Sequence, residues 1–282
     1  MRGSPLHGAA ILHRANRFFI LPVIVVLCLC SCAYAANFAA TSPWLGEIVS
    51  FIGSDKVRVR SLSVWGDNGS AVAVARPRAG EVIIAVNDSD AARLHINSKS
   101  RNLRLLYHAA PISDSQLNSL FYDPALLPFV AQNVMKIISA SDKARYSFYQ
   151  RRLAEFQSRV EGAVDVGKHL LANTKMLDLT GVTGVWVRSA VNGAVRPPKK
   201  VWEGWLAGDT AALKAALDEA ERRKWLIVMD AWTPASIRSV ASAYEYRVTI
   251  SPPHRNVDYF SYLQDIFRMI WNRTQPAKKK LK

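Results

Sequence analysis

Apolar residues recur every third or fourth position from Tyr149 through Leu153, Phe156, Val160, Ala163 and Gly167 to Leu170, with Arg, Glu, Gln and Lys between them. That spacing draws one apolar stripe down a single helix, and it predicts a helix over 142–172 capped by Ser141 and Asp142. At 1.5 Å per residue such a helix reaches about 40–45 Å, longer than a small domain is wide. It reads as a spine between two halves, or as a long helix of one core. Ahead of it, 57–63 alternates with period two, as a half-exposed strand does. Short β-rich runs lie at 37–41, 81–86 and 103–107. A helix over 44–52 ends at Gly53, and Pro124 opens another through 139, where a missing N–H costs nothing. Behind the spine, strands are expected at 176–179, 225–230 and 247–250, with a short helix after the Gly181/Gly184 turn. Further helices are expected at 211–222, 234–243 and 258–271, and a loop at 196–200. The unbroken apolar run of 225–230 marks a parallel strand covered on both faces, and no fixed short period repeats. The predicted fold class is α/β: two lobes, each a small parallel sheet flanked by helices, joined by one long connecting helix. The boundaries expected are 36–141 for the first lobe, 142–172 for the helix, 173–274 for the second lobe and 275–282 for a basic tail.

The first residues have a different pattern. Arg14 and Arg17 precede an uncharged apolar core over 18–29, and Ala33-Tyr34-Ala35 places small residues where a signal peptidase reads them. The segment is therefore expected to be a secretory signal, 1–35, cleaved before Ala36. A membrane anchor needs about 20 apolar residues, and this core is shorter and contains Pro22. A competing reading takes Leu29-Cys30-Ser31-Cys32 as a lipoprotein site acylated at Cys32. Either way the expected location is the periplasm.

Cleavage changes the chemistry that remains. All three cysteines, Cys28, Cys30 and Cys32, lie in that segment, so the mature chain has no disulfide, thiolate metal site or cysteine nucleophile. Half of all residues are hydrophobic and eight are Trp, enough for a packed core without cross-links. The net charge is +15, of which Arg2, Arg14 and Arg17 leave with the signal, giving +12. Outside the cytoplasm such a balance points to an anionic membrane surface or an acidic partner rather than to nucleic acid. Apart from 278–282 the basic residues are dispersed, and that tail reads as a solvated end.

Enzyme signatures are missing: no Gly-x-Ser-x-Gly elbow, phosphate loop, dinucleotide fingerprint or His-Glu-x-x-His occurs. The chain is accordingly expected not to be an enzyme. Beyond the signal the histidines are His95, His108, His169 and His254. His169 falls on the surface of the spine, whereas His108 and His254 follow strands, where open α/β sheets place ligand contacts. Asp123 and Asp230 also end or follow strands, a position that more often caps a helix or forms a turn.

The order of elements resembles the TroA-like solute-binding proteins of bacterial ABC importers for zinc and manganese. The resemblance is carried by strand, helix, Ile52-Gly53-Ser54-Asp55-Lys56-Val57 and strand over 39–64, and by Phe121-Tyr122-Asp123-Pro124 before the next helix and spine. Val248-Thr249-Ile250-Ser251-Pro252 with the closing helix completes it. The resemblance implies a ligand held between two lobes and an ABC permease as partner. In members that bind metal, three histidines and an acidic residue hold it. Here those positions fall at or near Ser70, Ser119, Thr180 and Ser251, and the acidic, His-rich loop of zinc members is absent. Hydroxyls are poor zinc ligands beside imidazole and carboxylate, so the chain resembles a divergent member without the usual metal ligands. His108 and His254 alone leave zinc short of ligands, and Asp123 is expected to be occupied at its helix start.

No cofactor is therefore expected, and zinc or manganese binding is doubtful. Hydroxyls and backbone N–H groups suit a polar organic solute or small anion. The function expected is solute capture for a transporter. The alternative is a non-transport accessory or chaperone-like protein with a vestigial cleft, whose partner is another periplasmic protein. A monomer is expected in both cases.

Overall fold

Strand β1, Ala36–Ala40, runs from an exposed Asn37 into three buried residues, and Ser42 then caps helix α1, Pro43–Gly53, by accepting from the Leu45 N–H. In the computed structural model, which describes residues 36–108 and 114–275, this β–α step builds each of two sheets. The expected signal, Cys32 and nearly all of the basic tail lie outside the described residues. The first sheet joins β1 to β2 (Val57–Ser61), β5 (Val82–Ala85) and β6 (Leu103–Leu105) in the order β2-β1-β5-β6, all parallel. Between β2 and β5 a hairpin of β3 (Ser63–Trp65) and β4 (Ala71–Ala73) stands apart as a two-stranded antiparallel sheet. Helices α2 (Asp88–Arg93), α3 (Asp114–Leu120) and α4 (Leu127–Ser141) complete this half.

The second sheet has the order β10-β9-β7-β8 and is also entirely parallel. Its strands are β7 (Lys175–Asp178), β8 (Gly193–Val195), β9 (Leu226–Asp230) and β10 (Arg247–Ile250). The flanking helices are α6 (Gly184–Ala190), α7 (Lys199–Leu206), α8 (Thr210–Arg222), α9 (Ala235–Ala241) and α10 (Tyr259–Thr274). Every residue of β9 is buried, as the unbroken apolar run requires of a strand covered on both faces.

Helix α5, Tyr146–Leu171, lies between the two sheets in sequence and is continuous over 26 residues. Its buried stripe is Tyr149, Phe156, Val160, Ala163, Gly167 and Leu171, with Leu153 and Leu170 half-buried beside it. The helix packs on α1 and α4 of the first half and on α6 and α10 of the second. Gly167 permits the last of these approaches, because a Cβ there would stand 2.5 Å from the Phe267 ring and 2.8 Å from Ala190. One apolar core runs through both halves, from Phe38 and Trp44 to Leu263 and Ile270, with a smaller core on the far side of each sheet.

Several local expectations are corrected. The strand expected over 57–63 breaks at buried Leu62, whose N–H donates to Ala40 and whose carbonyl accepts from Val74, so the chain turns into β3. Pro124 does not open α4. Asp123 folds a turn first, and the helix begins at Leu127 with Pro128 in its first turn. Asp142 does not cap α5 either. Its N–H donates to Ile138 at the end of α4, and a 3-10 turn over Lys143–Arg145 intervenes. The Asp142 carboxylate instead accepts from Arg145 at 2.6 Å and from the Tyr149 hydroxyl at 2.9 Å. Burial, reinforced by that carboxylate, pushes the Tyr149 pKa up to about 12. The loop expected over 196–200 gives way at Lys199 to α7.

Candidate functional site

Strands β1, β5 and β6 of the first half, and β7, β9 and β10 of the second, deliver their carboxyl ends to the region between the lobes, where open α/β sheets place ligands. Aromatic side chains fill its floor. Trp44 meets Trp65, Tyr259 and Tyr262 at centroid distances of 5.3, 4.9 and 5.5 Å, and its indole N–H donates to the Tyr122 hydroxyl at 2.9 Å. Tyr122 meets Trp232, from the loop after β9, at 6.0 Å.

Trp232 crosses to the other lobe. Its indole N–H donates to the carbonyl of Gly69, at the tip of the β3–β4 hairpin, over 3.1 Å. Gly69 has φ of +76°, and a Cβ on it would stand 2.8 Å from the Trp232 ring and 3.0 Å from Pro252. Glycine is therefore required by both the left-handed backbone and the close approach. The cavity left among Ser42, Trp65, Val86, Asp90, Tyr122 and Trp232 measures about 10 Å³, the volume needed for about one water.

Two buried carboxylates brace this region. Asp90 accepts from the Val86 N–H at 2.9 Å, from the Thr41 hydroxyl and from Arg93. Asp230 is fully buried and collects the N–H groups of Gly181, Val182, Thr183 and Trp232, with the hydroxyls of Thr183 and Thr233. A third, Asp178, is held by Arg188, by Arg196 at 3.3 Å and by Thr180. All three are engaged by donors of their own lobe.

The sequence candidates are scattered by comparison. Ser70 donates to Asn68 at 2.6 Å within the hairpin turn, and Ser119 donates to the Gln116 carbonyl at 3.1 Å within α3. Thr180 is fully buried and donates to Asp178 at 2.6 Å. Asp123 accepts from the Ala125 N–H at 2.9 Å, and His108 is exposed after β6. Ser251 and His254, both exposed, do come together in a groove of about 360 Å³ with Trp65, Asp67 and Arg255. None of the other five candidates lines that groove. Among the described residues, no three His, Cys, Asp or Glu side chains stand close enough together to hold a metal ion. The donor set thus does not fit zinc or manganese, which take nitrogen, oxygen or sulfur from several such residues.

The sequence reading missed Trp232 and underrated Asp230. The sequence signal was a strand-end Asp followed by a small residue and an aromatic, Asp230-Ala231-Trp232, but the partners of both come from elsewhere in the chain.

Around the same floor, Glu47 on α1 lines two shallow grooves of about 190 and 220 Å³. Burial, and then the nearby Asp258 carboxylate, raise its pKa above the usual glutamate value. An acid raised by folding favours the native state below its unfolded pKa, and that contribution is lost as pH climbs through the folded value. Glu47→Gln should therefore melt higher than the parent at pH 7, and the two should converge below the ordinary carboxylate range. Thermal melts across that window check it. A variant that melts lower at neutral pH would count against the raised carboxyl.

No family model matches the chain, and no curated protein matches it. Solved structures do. ZnuA shares 15% identity with a TM-score of 0.59, covering 84% of this chain and 98% of its own. A manganese-bound periplasmic metal-binding protein from Candidatus Liberibacter asiaticus shares 13%, with TM-score 0.57 and coverage of 84% and 98%. The laminin-binding protein Lbp of Streptococcus pyogenes shares 14%, with TM-score 0.55 and coverage of 85% and 98%. Two parallel sheets, one long helix between them and these neighbours together give the chain the TroA-like fold of periplasmic metal-binding solute-binding proteins, in a divergent sequence.

Proposed function

We propose that this chain is an exported protein on the solute-binding scaffold whose inter-lobe site is filled by its own side chains. On this reading it acts as a non-transport accessory or chaperone-like protein through contacts with other proteins. The observation that carries it is Trp232, which lies under the Gly69 carbonyl and, with Tyr122 and Trp65, leaves a cavity of only about 10 Å³ beneath it, the larger groove of about 360 Å³ lying outside this contact. Ligand pockets need roughly 300 Å³ or more. A fold hosts many functions, so the shared scaffold does not require transport, and Lbp, a structure of this fold, is a laminin-binding protein. Export rests on residues 14–35, with cleavage before Ala36 and release into the periplasm. Among the described residues no helix is long and apolar enough to cross a membrane.

A second reading has its own observation. Ser251, His254 and Arg255 line a groove of about 360 Å³ at the rim, which suits a small anionic or polar solute delivered to an ABC permease. Native mass spectrometry of the chain purified from its producing cell separates the two. The protein is expected to carry no stoichiometric small molecule. A bound solute lost in Ser251→Ala or His254→Ala would transfer the function to transport. Incubation with excess zinc or manganese followed by desalting is expected to leave no stoichiometric metal. Zinc retained by the parent and lost on replacing His108 or His254 would restore a metal-binding role.

A further inference from the structure

The geometry points to the free edge of the β3–β4 hairpin as a self-association surface, on which a second copy of this chain adds its own β4 antiparallel. Strand β4 pairs with β3 on one side and, among the described residues, has no partner strand on the other. The Gly66–Ser70 and Val74–Leu62 bonds fix the alternation, so Val72 turns its backbone toward β3 while Ala71 and Ala73 turn theirs outward. All three β4 residues are exposed, Val72 at 47%, and Val74 just beyond is at 56%. Natural edge strands are usually protected by lysine, proline, a bulge or an inward charge. From Ala71 to Val74 this edge carries no lysine, proline or inward charge, and only at its end do the Val74 and Ala75 N–H groups share the Leu62 carbonyl, as in a bulge.

The edge is built to match itself. Ala71-Val72-Ala73-Val74-Ala75 reads the same in both directions. Pairing Ala73 with its symmetry mate sets Val72 of each copy opposite Val74 of the other, on one face. Cross-strand β-branched pairs of that kind stabilise a sheet. The ends are complementary as well. Asp67 lies in the turn before β4, Arg76 and Arg78 follow it, and no ion pair engages any of these side chains among the described residues. Antiparallel addition brings the acidic end of each copy beside the basic end of the other. It also converts two isolated strands, marginal alone, into a four-stranded sheet. This goes beyond the monomer expected from the sequence, and it does not depend on whether the cleft holds a solute.

Sedimentation of the purified chain over a concentration series tests this, with a dimer expected. Ala73→Pro removes an outward N–H at the centre of the contact and spares the β3 ladder. It should weaken the dimer by about tenfold or more and leave the chain folded, with a melting temperature that matches the parent's at concentrations where both are monomeric. Asp67→Arg, which leaves the strand intact, should weaken it several-fold, and adding Arg78→Asp should recover the loss. A chain that sediments as a monomer throughout, a dimer indifferent to Ala73→Pro in a folded variant, or a charge swap that fails to recover would each overturn the proposal.

Discussion

Asp230→Ala should cost about 4 kcal/mol or more, because each buried donor left unsatisfied costs about 1–3 kcal/mol. The carboxylate is fully buried, and its two oxygens divide the donors evenly. Oδ1 accepts from Gly181 at 2.8 Å, Trp232 at 3.1 Å and the Thr233 hydroxyl at 3.1 Å. Oδ2 accepts from Val182 at 2.8 Å, Thr183 at 2.9 Å and the Thr183 hydroxyl at 3.1 Å. Alanine would strand the backbone donors of the loop entering α6 and of the loop that carries Trp232. Asparagine should not rescue the site, since its amide nitrogen faces three donors whichever way it turns. Total stabilities of about 5–15 kcal/mol leave little margin for such a loss. Urea unfolding should show a lower midpoint at an unchanged slope for both variants. A loss below about 1 kcal/mol would mean that water or relaxation serves these donors equally well.

Trp44→Ala should cost about 3–5 kcal/mol, the usual range for a large aromatic removed from a core. Trp44 is 1% exposed and is shared between the lobes, touching Trp65 on one side and Tyr259 and Tyr262 on the other. Its removal also deprives the Tyr122 hydroxyl of the indole donor at 2.9 Å. Trp44→Phe keeps most of the apolar volume and should lose clearly less than alanine. Thermal melts of the two variants measure the difference. Two separate transitions in Trp44→Ala would show that this cluster couples the lobes, whereas a loss below about 1 kcal/mol would show that each lobe is stable without it.

Short-range pattern was enough to predict the elements whose partners are close or generic. The stripe on α5 was legible because any helix must bury one face, and its period specifies that face whatever covers it. The apolar run of β9 was legible for the same reason, since a strand so composed needs cover on both sides. The β3–β4 hairpin escaped notice because Ala71–Ala73 carries no alternation, its exposure hiding the period that burial would impose. Helix α7 escaped because the prolines before it read as a loop.

The region between the lobes was less legible. Ser70, Ser119 and Asp123 are satisfied within a few residues, as short polar side chains at turns and helix ends commonly are. Their neighbours in sequence therefore say nothing about a ligand. Trp232 and Gly69 are 163 residues apart, and no local pattern encodes that an indole from one lobe meets a carbonyl of the other. By itself the sequence determined the α/β alternation, the long helix and the absence of cysteine beyond residue 35, because each depends on local period or composition. The tertiary structure alone decided that Asp230 is buried under a cage of backbone donors and that Trp232 packs under the Gly69 carbonyl of the other lobe. Both depend on long-range packing that brings distant loops together at the carboxyl ends of the strands.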